Sequence, residues 1–148
     1  MAKFRYRMQN VLNVKEKLES QAKNEFAIAA AKVREEEEKL EVLNGRCEAS
    51  LDKLKELYSS DLDIPAIKET EDGIELLKYH IKMQKLNLAA ANQELEVARD
   101  KLTVAMQERK THEKLKEKQF EEFVKEEAAK ESKEIDELVS YRFGNGED

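Results

Sequence analysis

Ile74, Ile81, Leu88, Leu95 and Leu102 recur at every seventh residue without a break, and Leu77, Gln84, Ala91, Ala98 and Ala105 fill the position three residues after each. Alternating steps of three and four keep one apolar stripe on the same side of a helix, which is the seam of a coiled coil and not the period-two alternation of a strand. The upstream half carries a less regular stripe through Phe4, Met8, Val11, Leu18, Ala22, Ala29, Val33, Leu40, Leu43, Cys47, Leu51 and Leu54. Lys15, Glu25 and Glu36 interrupt it, its phase drifts by one residue between Ala29 and Val33, and Asn44-Gly45 weakens the helix, so bending is expected there.

Composition agrees with long helices. Of 148 residues 41% are charged, against about 25% in an ordinary domain, and the chain has four glycines, one proline and no tryptophan. Hydrophobic residues still make up 40% at regular spacing, which separates the chain from disordered sequences of similar charge. A core of large aromatics with a deep substrate pocket is not expected. A net charge of −6 repels phosphate backbones, which argues against nucleic acid as a partner. The longest apolar run, Phe26 to Ala31, is far short of the roughly 20 residues that cross a bilayer. The basic start of the chain is followed by Asn10, Asn13, Lys15, Glu16 and Lys17, so no secretory signal is expected, and the single Cys47 fits a reducing cytoplasm.

The main turn is expected in Ser59-Ser60-Asp61-Leu62-Asp63-Ile64-Pro65, where Asp61 or Asp63 can cap a second helix and Pro65 suits its first turn. The spacing predicts helix 1 over about 4–59, a turn over about 60–64, helix 2 over about 65–142 with Gly73 inside it, and a flexible tail at 144–148. Two amphipathic helices joined by a short turn bury their stripes only against each other. The fold class is therefore all-α, a single antiparallel coiled-coil hairpin whose second helix is the longer. Facing residues have numbers summing to about 125, with Leu51 opposite Ile74 and Val33 opposite Ala91. The expected seam comprises Leu51, Ile74, Leu77, Ile81, Leu88, Ala91, Leu95, Ala98 and Leu102. At a rise of 1.5 Å per residue the helices are roughly 80 and 115 Å long, so helix 2 overhangs helix 1 beyond about residue 121. Phe120, Phe123, Val124, Ile135, Leu138 and Val139 remain apolar there, which calls for an external partner, with fraying or self-association as the alternatives.

No enzyme signature is present, and neither cofactor nor metal is expected. The glycines at 45, 73, 144 and 146 are too dispersed for a phosphate-cradling loop. His80 has no second strong ligand at helical spacing, a metal site at His112 near Glu108 would need ligands from helix 1 around Asn13, where none is present, and Cys47 on the apolar stripe reads as a core thiol. Arg34 to Lys39 reads as a solvated face held by pairs four residues apart. Lys3, Arg5 and Arg7 interleaved with Phe4 and Tyr6 form a cationic, aromatic cluster suited to an acidic protein partner.

These residues resemble the FliJ family of the bacterial flagellar type III export apparatus. The opening Phe4-Arg5-Tyr6-Arg7-Met8-Gln9-Asn10-Val11-Leu12 carries the most specific likeness. Tyr58, Gln93 to Leu102, Glu108-Arg109-Lys110, Glu113-Lys114-Leu115 and Lys133 to Leu138 are also similar. The resemblance implies a cytoplasmic protein, peripheral to the membrane only through the export apparatus. It would insert like a stalk into the hexameric export ATPase, promote its assembly, link it to the cytoplasmic domain of the membrane export gate, and bind export chaperones. On that resemblance Phe4, Arg5, Tyr6, Arg7, Met8, Phe123, Ile135, Asp136, Glu137 and Leu138 are expected to contact the ATPase ring, and Leu54, Tyr58 and Tyr79 the gate. The alternative is a generic coiled-coil scaffold or holdase that offers an apolar groove to unrelated clients.

Overall fold

The computed structural model of the chain describes residues 2–145. It consists of α1 (Gln9–Ser59, 51 residues) and the longer α2 (Ile64–Asn145, 82 residues), packed against each other as a hairpin, with no strand among the described residues. At the turn the cap is Asp63: its Oδ1 accepts from the Ala66 N–H at 3.3 Å, and its carbonyl accepts from the Ile67 N–H at 3.0 Å. Pro65 falls where the helix has no use for a donor, so the break costs little. Ser59 and Ser60 close α1 by donating to the Glu56 carbonyl. Gly73 lies within α2. Gly144 and Asn145 are also helical, whereas the rest of the expected tail lies outside the described residues.

Helix α1 starts at Gln9, not near residue 4. The reason lies in the order Phe4-Arg5-Tyr6-Arg7. Alternation of period two puts both rings on one side only if the backbone is extended, whereas a helix would turn them 200° apart. The Gln9 N–H donates to the Tyr6 carbonyl at 3.2 Å, and this turn converts the extended segment into the helix.

The chain divides into two compact units, Gln21–Thr103 and Met1–Ser20 with Val104–Asp148. In the first, apart from Ala30 and Ala66, the least exposed α1 positions are 22, 26, 29, 33, 36, 40, 43, 47, 50, 54 and 57, and those of α2 are 67, 70, 74, 77, 81, 84, 88, 91, 95, 98 and 102. Both follow unbroken three-and-four spacing. The expected phase drift of α1 therefore disappears once Phe26 and Glu36 are counted in the seam. Leu51 is the exception among the expected seam residues: it stands 40% exposed, and the seam passes through Ser50 beside it. Small residues on α2, Ala91 and Ala98, are buried, as is Val33 on α1, which suits close backbone approach. Cys47 is buried as a free thiol.

Glu36 does not interrupt this seam but sits in it, 5% exposed. Gln84, opposite on α2, donates from Nε2 both to the Glu36 carboxylate and, at 3.0 Å, to the Glu36 carbonyl, while Lys32 Nζ lies 3.0 Å from the same carboxylate. A buried carboxylate is tolerable because each oxygen has a donor. The hydrogen bond from Gln84, followed by that from Lys32, holds the Glu36 carboxyl below its ordinary value of 4.5.

Two measurements check this account. Ile74, 5% exposed, should lose about 2–4 kcal/mol of stability on Ile74→Ala, whereas Leu51→Ala should cost less than about 1 kcal/mol in chemical denaturation. Because the folded pKa of Glu36 is below its unfolded one, its contribution to stability is complete above about pH 4.5 and disappears as pH falls through the folded value. Carbon-13 titration of Glu36 should accordingly give a midpoint below the usual glutamate range, and Gln84→Leu should raise it.

Candidate docking surfaces

The unit containing both termini is built on an extended aromatic clasp. The Phe4 ring meets Phe120 edge-on at 5.3 Å and Phe123 at 5.5 Å. Aromatic pairs at such distances add about 0.5–1.5 kcal/mol to the burial itself. Tyr6 is 7% exposed and its hydroxyl has no hydrogen-bond partner among the described residues. Tyr6 was expected to touch a partner directly, but it is an anchor with almost no surface left to offer. Phe4 and Phe123 are half-buried against each other, whereas Arg5, Arg7 and Met8 face outward. The rings thus seat the segment and leave its cations free to solvent.

The seam of this unit is polar. Lys15 Nζ lies 2.9 Å from Glu108 Oε2, and Arg109 bridges Glu19, 5% exposed, to Glu113 at 2.8 Å. Lys15 belongs to the seam that it was expected to interrupt. His112 occupies the next position, with Nδ1 buried and without a hydrogen-bond partner among the described residues. Leu12, 3% exposed, is the least exposed residue of α1 here.

Beyond Phe123 the pattern on α2 changes face. The continuation of the seam falls on Glu126, Lys130, Lys133 and Glu137, all charged. The apolar residues move to Val124, Ile135, Leu138 and Val139, which are 46–62% exposed. Ile135, Asp136, Glu137 and Leu138 are all exposed and begin twelve residues after Phe123, roughly 18 Å along the helix. They therefore lie apart from the clasp at residues 4–6, and the expected ring-contact residues form two neighbouring groups.

The expected gate residues also separate. Leu54 and Tyr58 share a shallow groove of about 410 Å³ on α1 with Leu51 and Lys55. The Tyr58 hydroxyl donates to Glu71 Oε1 at 2.6 Å, and this bond pushes its pKa above 10. Tyr79 stands on α2, 57% exposed, with Leu76 at 58%, Met83 at 41% and Leu86 at 58%. Positions 76, 79, 83, 86, 90, 93 and 97 repeat the three-and-four spacing two residues out of phase with the seam. Through Leu86 they form a second stripe on the side of α2 turned away from α1, whereas Gln93 and Val97 reach the edge of a groove shared with α1. Val97 at its end lines a groove of about 500 Å³ together with Ile28, Ala29 and Ala98, rimmed by Glu25, Lys32, Glu94 and Lys101. Leu76, Met83, Leu86 and Val97 were not among the expected site residues. Their signal was present as a second heptad phase, hidden by the stronger first one.

Among the described residues no three His, Cys, Asp or Glu side chains come together as a metal cluster, and no helix is long and apolar enough to cross a membrane. No curated protein matches the chain by sequence. A solved structure described as that of a YscO homolog from Chlamydia trachomatis is 25% identical over 99% of this chain and 100% of its own, with a TM-score of 0.49. The family model described as flagellar FliJ protein matches residues 4–148, which spans the aromatic clasp, both seams and the charged end of α2. The chain belongs to the FliJ family and is a component of the flagellar type III export apparatus.

Proposed function

We propose that this protein is a non-enzymatic, stalk-like coiled coil that inserts into the ring of the flagellar export ATPase, promotes its assembly and activity, and connects it to the cytoplasmic domain of the export gate and to export chaperones. The observation that carries this reading is the set of exposed apolar residues Val124, Ile135, Leu138 and Val139 on α2, in the same unit as a clasp that presents Arg5 and Arg7. A helix that keeps large aliphatic side chains in water beyond the reach of its own partner helix is expected to meet a protein surface. The ring contact is assigned to Phe4, Arg5, Arg7, Met8, Phe123 and residues 135–138, with Tyr6 positioning the segment from within. The outer stripe of α2 around Tyr79 is the surface assigned to the gate, and it extends the expected contact to Leu76, Met83 and Leu86. Tyr58, already engaged with Glu71, is the weaker member of that set.

The location that follows is the cytoplasmic side of the flagellar base, with membrane contact only through the apparatus. A holdase reading has one observation in its favour, the same outer stripe, because exposed Leu76, Met83 and Leu86 also suit unselective clients. Partner selectivity separates the two. A stalk raises the hydrolysis rate of one ATPase at about one copy per ring, and a holdase suppresses aggregation of unrelated proteins.

Removal of residues 124–148 should abolish stimulation of ATP hydrolysis and of ring assembly while circular dichroism still reports a helical hairpin. Undiminished stimulation would refute the ring contact. At the other surface Tyr79→Ala should weaken binding of the gate's cytoplasmic domain about tenfold, the usual cost of truncating an interface aromatic, whereas Tyr58→Phe should leave it unchanged in titration calorimetry.

A further inference from the structure

The exposed stripe at the end of α2 has a charge environment that specifies its occupant. Residues 120–143 contain eight Asp or Glu and four Lys or Arg, a net charge of −4 within a chain whose total is −6. The bias is sharper around the stripe itself. One helical turn from Val124, Ile135, Leu138 and Val139 stand Glu121, Glu127, Glu131, Glu134 and Asp136, and the cation at that spacing is Arg142. Of these acids Glu127 has an ion pair with Lys130, and that at the long distance of 3.9 Å.

We propose that this stripe seats a basic amphipathic helix of a partner protein, with apolar anchors at three-and-four spacing flanked by Lys or Arg. The inference rests on the ring-end reading above and deepens it by naming the chemistry of the surface that docks there. Apolar burial supplies the affinity, and the acidic border selects the sign of the partner and its approach. Two copies meeting stripe to stripe would set one −4 segment against another, and an anionic bilayer would be repelled in the same way. Val124, Ile135 and Leu138 lie on a face that α1 does not cover, so docking requires no opening of the hairpin.

The test uses the full chain and two designed helical peptides with identical Leu anchors, one flanked by Lys and one by Glu. Fluorescence anisotropy should give the Lys peptide at least about tenfold higher affinity, with the preference shrinking as salt is added. Combined Glu127→Lys, Glu131→Lys and Glu134→Lys substitution should reverse the preference, and Ile135→Asp with Leu138→Asp should abolish binding of both peptides without loss of helical content. Equal affinities, failure of both peptides to bind, or a preference that survives charge reversal would overturn the inference. So would dimerisation in sedimentation that Ile135→Asp with Leu138→Asp removes. Stimulation of the export ATPase by the same variants is read separately. Its retention in the aspartate variant overturns the ring contact, whereas its loss without any peptide preference overturns the charge assignment alone.

Discussion

Two helices can cover only one stripe of each other, and everything distinctive in this protein follows from that limit. The heptad seam from Ile67 to Leu102 absorbs the α2 residues that face α1. Whatever else α2 carries in apolar form must stay in water. Leu76, Tyr79, Met83 and Leu86 on its outer side, and Val124, Ile135, Leu138 and Val139 near its end, are therefore left over from folding. A scaffold selected only for stability would place charges at these positions at little cost. Large side chains there are the surfaces to which the proposed partner contacts are assigned.

The seam also contains polar residues that a stability argument alone does not demand. Glu36 with Gln84 in one unit, and Lys15, Glu19, Arg109 and His112 in the other, occupy positions where leucine would fit the repeat. Uniform apolar heptads permit a helix to slide by seven residues with little change in energy, because each layer resembles the next. Gln84 bonded to both the carbonyl and the carboxylate of Glu36 allows no such shift, since any slip leaves a buried carboxylate without its donor. The bridge from Arg109 to Glu19 applies the same restriction in the unit of the termini. Register matters here because it decides that Phe4 meets Phe120 and Phe123.

Most of the architecture could be read before any coordinates. The heptads of α2, the Ser-Asp-Pro turn and the pairing of helices rest on local rules that tertiary context did not override, and Asp63 caps as its side chain permits. Reading failed where polar residues entered the core. Counting only apolar positions on α1 produced a drifting stripe that took in Leu18 and Leu51, both at least 40% exposed, and passed over Glu19 and Glu36, each 5% exposed. Burial of those carboxylates depends on donors supplied by α2, a pairing that exists only after the hairpin forms. The late start of α1 was legible in principle, since Phe4-Arg5-Tyr6-Arg7 alternates with period two. The apolar steps from Phe4 to Met8 and Val11 masked it. The outer stripe was obscured in a similar way, because a repeat of seven admits two phases and the stronger one claims attention first.

Charge adds a step that composition hides. A total of −6 suggests a mildly acidic surface, yet the distribution is uneven: the first twelve residues contain Lys3, Arg5 and Arg7 and no acid, while residues 120–143 carry −4. The contacts of Phe4 with Phe120 and Phe123 bring these opposite segments into one unit. Both fields act over about a Debye length, roughly 8 Å at physiological ionic strength, whereas Ile135 lies roughly 18 Å along α2 from Phe123, so a partner at residues 135–139 senses mainly the acidic segment. On the proposed reading this unit holds two kinds of surface at once, an acidic one on the cationic clasp and a basic one on the acidic stripe. Such a pairing suits a component that must recognise charged, orientation-specific neighbours, because reversal of its approach would oppose like charges at both contacts.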